Sequence, residues 1–173
     1  MEDTTTYTVR PASPRDARSF VELFRVVADE GRFIRSEQPH GDVRSYRRRF
    51  RASVTSDHAR LLAVSGDRVI GEVGVEREEH PVMRHVATIG MMVAPDWRGR
   101  GVGSSLMEAA IAWCRSERVE KVELSVYPDN AAARGLYEKF GFREEGRLTG
   151  HSKKRAGYLD EVLMGLWLTE RPS

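Results

Sequence analysis

Met91-Met92-Val93-Ala94-Pro95-Asp96-Trp97-Arg98-Gly99-Arg100-Gly101-Val102-Gly103-Ser104 is the stretch on which the fold reading turns. An apolar strand runs into a glycine-rich turn, and the turn runs into a helix. Pro95 ends the strand because it lacks the amide that a ladder needs. Gly99, Gly101 and Gly103 are expected to take up positive φ and to let a ligand approach the backbone without a Cβ in the way. The helix is expected to start near Val102, so its first unpaired N–H groups and the positive end of its dipole face the turn. That combination suits a phosphate, and Arg98 and Arg100 add positive charge. Two familiar phosphate loops are excluded. A dinucleotide loop needs G-x-G-x-x-G, and counted from Gly99 its third glycine is missing because Ser104 stands there; a Walker loop needs Gly-Lys-Ser/Thr, and no lysine lies nearby.

Outward from this stretch the chain alternates strands and helices. Tyr7–Arg10 reads as a short strand, broken by Pro11 and Pro14. Ala17, Phe20, Val21, Phe24 and Val27 recur at helical spacing, with Gly31 as the stop. Arg32–Val43 reads as a loop, and a second helix is expected from Asp42 to Val54. That helix carries Arg44, Arg47, Arg48, Arg49 and Arg51. With only Tyr46 and Phe50 as interleaved aromatics, it reads as a solvated face rather than a nucleic-acid surface. Arg60–Val64 and Arg68–Val75 flank Ser65-Gly66-Asp67 as a hairpin. Glu76–Pro81 is a polar connector and His85–Val93 the strand that feeds the turn.

After the turn, Val102, Leu106, Ala109 and Trp113 mark a helix face that continues to about Glu117. Cys114 sits beside that face and reads as a core thiol. Lys121–Tyr127 alternates as a strand. Asp129 or Asn130 caps a helix holding Leu136, Tyr137 and Phe140, and Gly141 closes it. Phe142–Glu145 begins a strand, Gly146–Gly157 reads as a polar connection, and Tyr158–Leu168 is the last strand. The order is β, two helices, three strands, helix, strand, helix, two strands. The β–turn–α–β segment implies a local parallel pair with its ligand at the strand C-terminal ends.

A chain of 173 residues fits one domain, 1–173, with Met1–Thr6 as a flexible start. Hydrophobic content of 40% with 31% charged residues describes a soluble globular protein. A net charge of +2 is too small to imply nucleic-acid or membrane binding. There is no apolar run of about 18 residues to span a bilayer and no apolar signal region at the start. The single cysteine excludes an intramolecular disulfide framework. These features lead to the expectation of a cytoplasmic protein.

Arg98, Gly101 and Gly103 read as R-x-x-G-x-G. Downstream, Asn130, Ala133, Tyr137, Gly141 and Phe142 read as N-x-x-A-x-x-x-Y-x-x-x-G-F. Together, with a strand between them, the two motifs resemble the signature of the GNAT superfamily of acetyl-CoA-dependent N-acetyltransferases. The resemblance runs from about Tyr7 to Leu168, close over Leu61–Trp167 and weak over Arg32–Ser56. It implies a mixed α/β fold of α+β character. That fold has a central, mostly antiparallel twisted sheet of about six or seven strands, a parallel pair splayed at the CoA site, and helices on both faces. The ending Gly157-Tyr158-Leu159-Asp160-Glu161-Val162-Leu163-Met164 is similar to that of members acting on amino acids, small amines or protein N-termini.

Carried over residue by residue, the resemblance implies acetyl transfer from acetyl-CoA to an amine by direct attack, with no metal. Backbone groups of Met91, Met92 and Val93 would pair with the pantetheine arm as an added strand. Gly99, Arg100, Gly101, Val102, Gly103 and Ser104 would wrap the diphosphate. Arg98 would contribute its amide or its charge, and Asn130 would hydrogen-bond the pantetheine. Tyr137 would be the general acid for the leaving thiolate.

The base is less defined. Relatives with a glutamate on the strand before the tyrosine helix would carry it at Ser125. Others carry one on the strand before the CoA turn, and His85–Val93 holds none. Glu72, on a neighbouring strand, is the candidate, directly or through water; His85, Asp160 and a water chain are the other routes. The expected acceptor is a small-molecule amine or amino acid, with Phe33 and Glu37 shaping its pocket, in a chain that forms a homodimer as relatives commonly do. A protein N-terminal or lysine acetyltransferase and a non-catalytic acyl-CoA sensor are the alternatives.

Overall fold

The computed structural model describes residues 6–155 and 157–170. Of the start expected to be flexible, residues 1–5 lie outside the described residues. The order of elements matches the one expected: β1 (Thr8–Pro11), α1 (Ala17–Asp29), α2 (Val43–Arg49), β2 (His58–Ser65), β3 (Arg68–Arg77), β4 (Val86–Val93), α3 (Val102–Ser116), β5 (Lys121–Val126), α4 (Ala131–Lys139), β6 (Arg143–Lys154) and β7 (Gly157–Trp167). The strands form a seven-stranded sheet in the order β1-β2-β3-β4-β5-β7-β6. Described helices are too short or too polar to cross a membrane.

The chain divides into two compact units. The first comprises Met1–Glu76 and Gly90–Trp113. In it β1 pairs antiparallel with β2, and β2 with β3, across a two-residue turn that needs Gly66 at φ 56°. Helix α1 presents Phe20 to Tyr46 of α2, with ring centroids 4.7 Å apart, and to Phe50 at 5.2 Å. All three rings are buried, which explains why α2 holds its place although its arginines are exposed. Helix α3 covers one face of β3, where Gly71 lies against Leu106 and Val102.

The second unit comprises Arg77–Ile89 and Cys114–Ser173. Here β4 and β5 run parallel, with Val86 opposite Lys121, Ala87 opposite Val122 and Thr88 opposite Glu123. The register ends at that third pair, while β4 continues to Val93 and β5 to Val126. Strand β7 pairs antiparallel with both β5 and β6.

Two expectations are corrected. The second helix was expected to reach Val54. It stops at Arg49, passes into a 3-10 turn over Phe50–Ala52, and Val54 instead bridges Ala59. The stretch Gly146–Gly157, expected as a connection, is mostly the long strand β6. Its alternation is obscured by two register shifts against β7 and by exposed polar side chains on an outer strand.

Candidate acetyl-CoA and acceptor site

The first unit builds the glycine-rich turn expected to bind an anion. Ala94 donates its N–H to the Ile70 carbonyl at 2.8 Å, which fixes the end of β4 against β3. A 3-10 turn over Pro95–Trp97 follows, and buried Trp97 anchors it. Gly99 and Gly101 then adopt φ of 72° and 83°, as expected for backbone that must turn without a Cβ. Gly103 does not: it lies in the first turn of α3 with ordinary helical φ, so its expected left-handed conformation is corrected.

The first bond of α3 runs from the Ser105 N–H to the Gly101 carbonyl at 3.0 Å. The N–H groups of Val102, Gly103 and Ser104 therefore precede the helical ladder and point out of its end. Space is open above the glycines. A Cβ on Gly99 would meet nothing within 4 Å, and one on Gly101 only the Tyr7 hydroxyl at 3.6 Å. Tyr7 braces this turn, hydrogen-bonded to the Ser105 hydroxyl at 2.9 Å and edge-on to Trp97.

Arg98 does not stand free as a charge. Its Nη atoms donate to both Glu30 carboxylate oxygens at 2.9 and 2.6 Å, and its Nε to the Val93 carbonyl at 3.1 Å. Its N–H closes the 3-10 turn on the Pro95 carbonyl at 3.4 Å. The guanidinium also lies 5.5 Å from the Phe33 centroid. It ties the end of α1 to the end of β4, so its positive charge is largely offset. Arg100 is exposed and lies over Trp97. Of the three residues expected to face a pantetheine arm, Met92 is buried, while Met91 and Val93 are half-buried.

Glu72 is not the exposed strand carboxylate its position on β3 allows. It is 5% exposed, and its Oε1 accepts from Arg60 Nη1 at 2.5 Å. Arg60 also reaches Glu76 at 3.2 Å. Gly74, directly opposite Arg60, leaves the room: a Cβ there would fall 2.6 Å from Arg60 Nη1. Burial pushes the Glu72 carboxyl above its ordinary value, against the pull of Arg60.

The second unit holds the other motif. Asn130 caps α4 by accepting the Ala133 N–H on Oδ1 at 3.2 Å, which leaves the amide donors on its Nδ2. The helix ends in a paired C-terminal turn, Gly141 N–H to the Glu138 carbonyl and Phe142 N–H to the Tyr137 carbonyl, with Gly141 at φ 93°. Tyr137 is 9% exposed, packs 5.9 Å from Phe142, and burial pushes its phenol up to about 12. It is thus fully protonated at neutral pH and able to donate. Cys114 is buried and its thiol is pushed up to about 12 by burial, consistent with a core thiol. Among the described residues, His, Cys, Asp and Glu side chains form no cluster of three able to hold a metal.

Sequence reasoning passed over Glu161 and Tyr127. Glu161 is 2% exposed and accepts the Ser152 hydroxyl on Oε1. The Tyr127 ring is 6% exposed, and its hydroxyl is buried without a hydrogen-bond partner among the described residues. Their signal in the sequence was faint: one acid before the apolar run of β7, and one aromatic closing β5.

The comparisons with known proteins agree on the family. The model of the acetyltransferase (GNAT) family matches residues 21–142. The L-amino acid N-acetyltransferase AaaT of Escherichia coli (strain K12) is 36% identical over 105 residues, 60% of this chain and 64% of that protein. The [ribosomal protein bS18]-alanine N-acetyltransferase of Salmonella typhimurium is 32% identical over 85 residues, 49% of this chain and 57% of that protein. The matches thus span less than two thirds of the length of either relative. Among solved structures, yncA of Salmonella typhimurium, determined with its cofactor acetyl-CoA, superimposes with a TM-score of 0.85 at 20% identity over 96% of each chain. With the family model covering more than half of the chain and the fold matching throughout, this protein belongs to the GNAT acetyltransferase family.

Proposed function

We propose that this protein transfers the acetyl group of acetyl-CoA to the primary amine of a small molecule, with an amino acid as the favoured class of acceptor. The observation that carries the reading is the anion loop: two left-handed glycines, open space above them, and the unpaired N–H groups of Val102, Gly103 and Ser104 opening α3. A diphosphate fits such an end through hydrogen bonds to charged oxygens and the helix dipole. Similarity to an L-amino acid N-acetyltransferase supports the acceptor class. The family match runs through both compact units, which supports one N-acetyltransferase domain.

Acetyl-CoA supplies an activated acyl carbon and a thiol leaving group. The chain's part is to bind, orient and move protons. Gly99–Ser104 hold the diphosphate by their amides, with Arg100 adding charge. Met91, Met92 and Val93 offer strand edge to the pantetheine, and the Asn130 amide donates to it. Tyr137 keeps its proton at neutral pH and delivers it as charge develops on sulfur. Glu72, raised by burial, acts as a base on the acceptor side through water, because Arg60 occupies one of its oxygens.

Similarity to a ribosomal-protein alanine N-acetyltransferase favours a second reading, in which the acceptor is a protein N-terminus. A thiol-release screen of amino acids, polyamines and peptides with free N-termini separates the two. Turnover of amino acids supports the first reading, turnover of peptides alone the second, and acetyl-CoA binding without turnover on any acceptor overturns both.

A further inference from the structure

The C-terminal end of α3 opens onto a cleft of about 500 Å³ lined by Arg115, Arg118, Val119, Glu120, Leu168 and Thr169. All six belong to the second compact unit. The helix closes in a paired turn: the Val119 N–H donates to the Cys114 carbonyl at 2.8 Å, and the Arg118 N–H to the Arg115 carbonyl at 3.1 Å. The residue that turns the chain in such a closure is left-handed and is usually glycine. Gly31 and Gly141 fill that place after α1 and α4. After α3 it is Arg118, at φ 56°, the only non-glycine residue with positive φ among the described residues. An L side chain is strained there, and such strain persists where the side chain has a use. Glu120 then leads into β5, and its carbonyl accepts the Leu168 N–H at 2.8 Å, which holds the chain after β7 alongside.

The cleft offers both signs of charge beside apolar surface. Val119 is buried and Leu168 half-buried. Arg115 and Arg118 are exposed, and neither they nor Glu120 join an ion pair among the described residues. The Glu120 carboxylate and the negative end of the α3 dipole supply the opposite sign. A plain anion would meet the carboxylate and the helix end, and a plain cation would meet two guanidiniums. A zwitterion answers both, and the volume suits a small molecule. Basic residues in a last helical turn also occur on a merely solvated end; a strained left-handed arginine lining a cleft goes beyond that. The place is not the α4 motif: Glu120 precedes β5, and Asn130 and Tyr137 follow its other end, about 20 Å of strand away.

We propose that this cleft binds a free α-amino acid with an apolar side chain: Arg115 and Arg118 take its carboxylate, Glu120 its ammonium, and Val119 and Leu168 its side chain. Binding here requires neither acetyl-CoA nor turnover, so it stands or falls apart from the transfer reaction. It stabilises the folded chain by mass action.

The test follows nitrogen–proton spectra of the whole chain as L-leucine is added without acetyl-CoA. Isopentylamine, which lacks the carboxylate, and 4-methylpentanoate, which lacks the ammonium, are the comparison ligands. L-leucine is expected to give saturable shifts at the amides of Val119, Glu120, Leu168 and Thr169, and each comparison ligand to bind about tenfold or more weakly. Arg118→Gly is expected to weaken L-leucine by about tenfold or more while keeping Tm at or above wild type, because glycine relieves the left-handed strain. Should that variant fold poorly, Arg118→Asn, which also tolerates the conformation, takes its place. Glu120→Gln is expected to weaken L-leucine and to leave 4-methylpentanoate unchanged. No shift at those amides, wild-type affinity in Arg118→Gly, which would put leucine elsewhere on the molecule, or comparison ligands that bind as tightly as leucine would overturn the proposal.

Discussion

Gly71→Ala is the perturbation whose consequences are most fully set by the structure. A Cβ on Gly71 would lie 2.9 Å from Leu106 Cδ1, 3.0 Å from Val102 Cγ1 and 3.3 Å from the Met92 carbonyl oxygen. Ordinary carbon contacts need about 3.5–4.0 Å. Leu106 and Val102 are 0% and 1% exposed, so neither has space to withdraw into, and the β-branched Val102 is stiff at χ1. The start of α3 must therefore move by several tenths of an ångström. Overpacking of this kind costs about 1–3 kcal/mol. The loss of chain freedom in the unfolded state returns about 0.4–1 kcal/mol. The net expectation is a destabilisation of about 1–2 kcal/mol, or about 2–8 °C for a chain of this size.

The same shift displaces the N–H groups of Val102 and Gly103. Loss of one hydrogen bond to a charged oxygen, about 1.5 kcal/mol, weakens acetyl-CoA binding by about tenfold. Urea unfolding and titration calorimetry read the two effects, with Gly90→Ala as control because its Cβ would meet nothing within 4 Å. Gly71→Ala with wild-type stability and wild-type affinity would refute the packing argument.

Three further outcomes follow from named contacts. Tyr137→Phe is expected to lower kcat by about 10²-fold with acetyl-CoA affinity little changed, and equal turnover in steady-state thiol release would remove the acid role. Arg98→Ala is expected to cost about 1 kcal/mol of stability, because it loses the half-buried Glu30 pair and the Val93 carbonyl bond. Its acetyl-CoA affinity should keep the wild-type salt dependence, since the Arg98 charge is already answered by Glu30; a flattened dependence would mean the charge reaches the ligand. Asp16 would be pushed up by its burial, but the Arg10 guanidinium and the Ser13 N–H and hydroxyl hold it down at about 2. Its stabilisation is therefore full above its ordinary value of 3.8 and lost as pH falls from there towards 2. Discounted for solvent screening, it is worth about 1–2 kcal/mol. Asp16→Asn should remove that much at neutral pH and flatten the acid limb of a stability–pH profile, and an unchanged acid limb would contradict the assignment.

The elements legible in the sequence were those whose signal is local. Proline, paired glycines and the return of helical spacing marked the turn at Pro95–Gly101. An Asn cap and a Gly closure seven and four residues on either side of Tyr137 marked α4. Strand β6 escaped because its pairing is non-local: its partners on β7 shift twice, and most of its side chains face solvent. The end of α2 escaped because Phe50 is held by Phe20 across the core, a tertiary contact that spacing does not show. Arg98 read as a free charge because its partner Glu30 lies 68 residues away. Glu72 was named from its place on a strand, and its burial and its bond from Arg60 depend on the pairing of β2 with β3, which spacing does not show.

The most direct test follows the backbone amides of Gly99–Ser104 by nitrogen–proton correlation spectroscopy while coenzyme A is added. Saturable shifts concentrated on the amides of Arg100–Ser104, absent when adenosine replaces coenzyme A, are the result expected of a loop that grips the diphosphate. Amides there that stay in place while coenzyme A binds elsewhere, or that respond equally to adenosine, would contradict it.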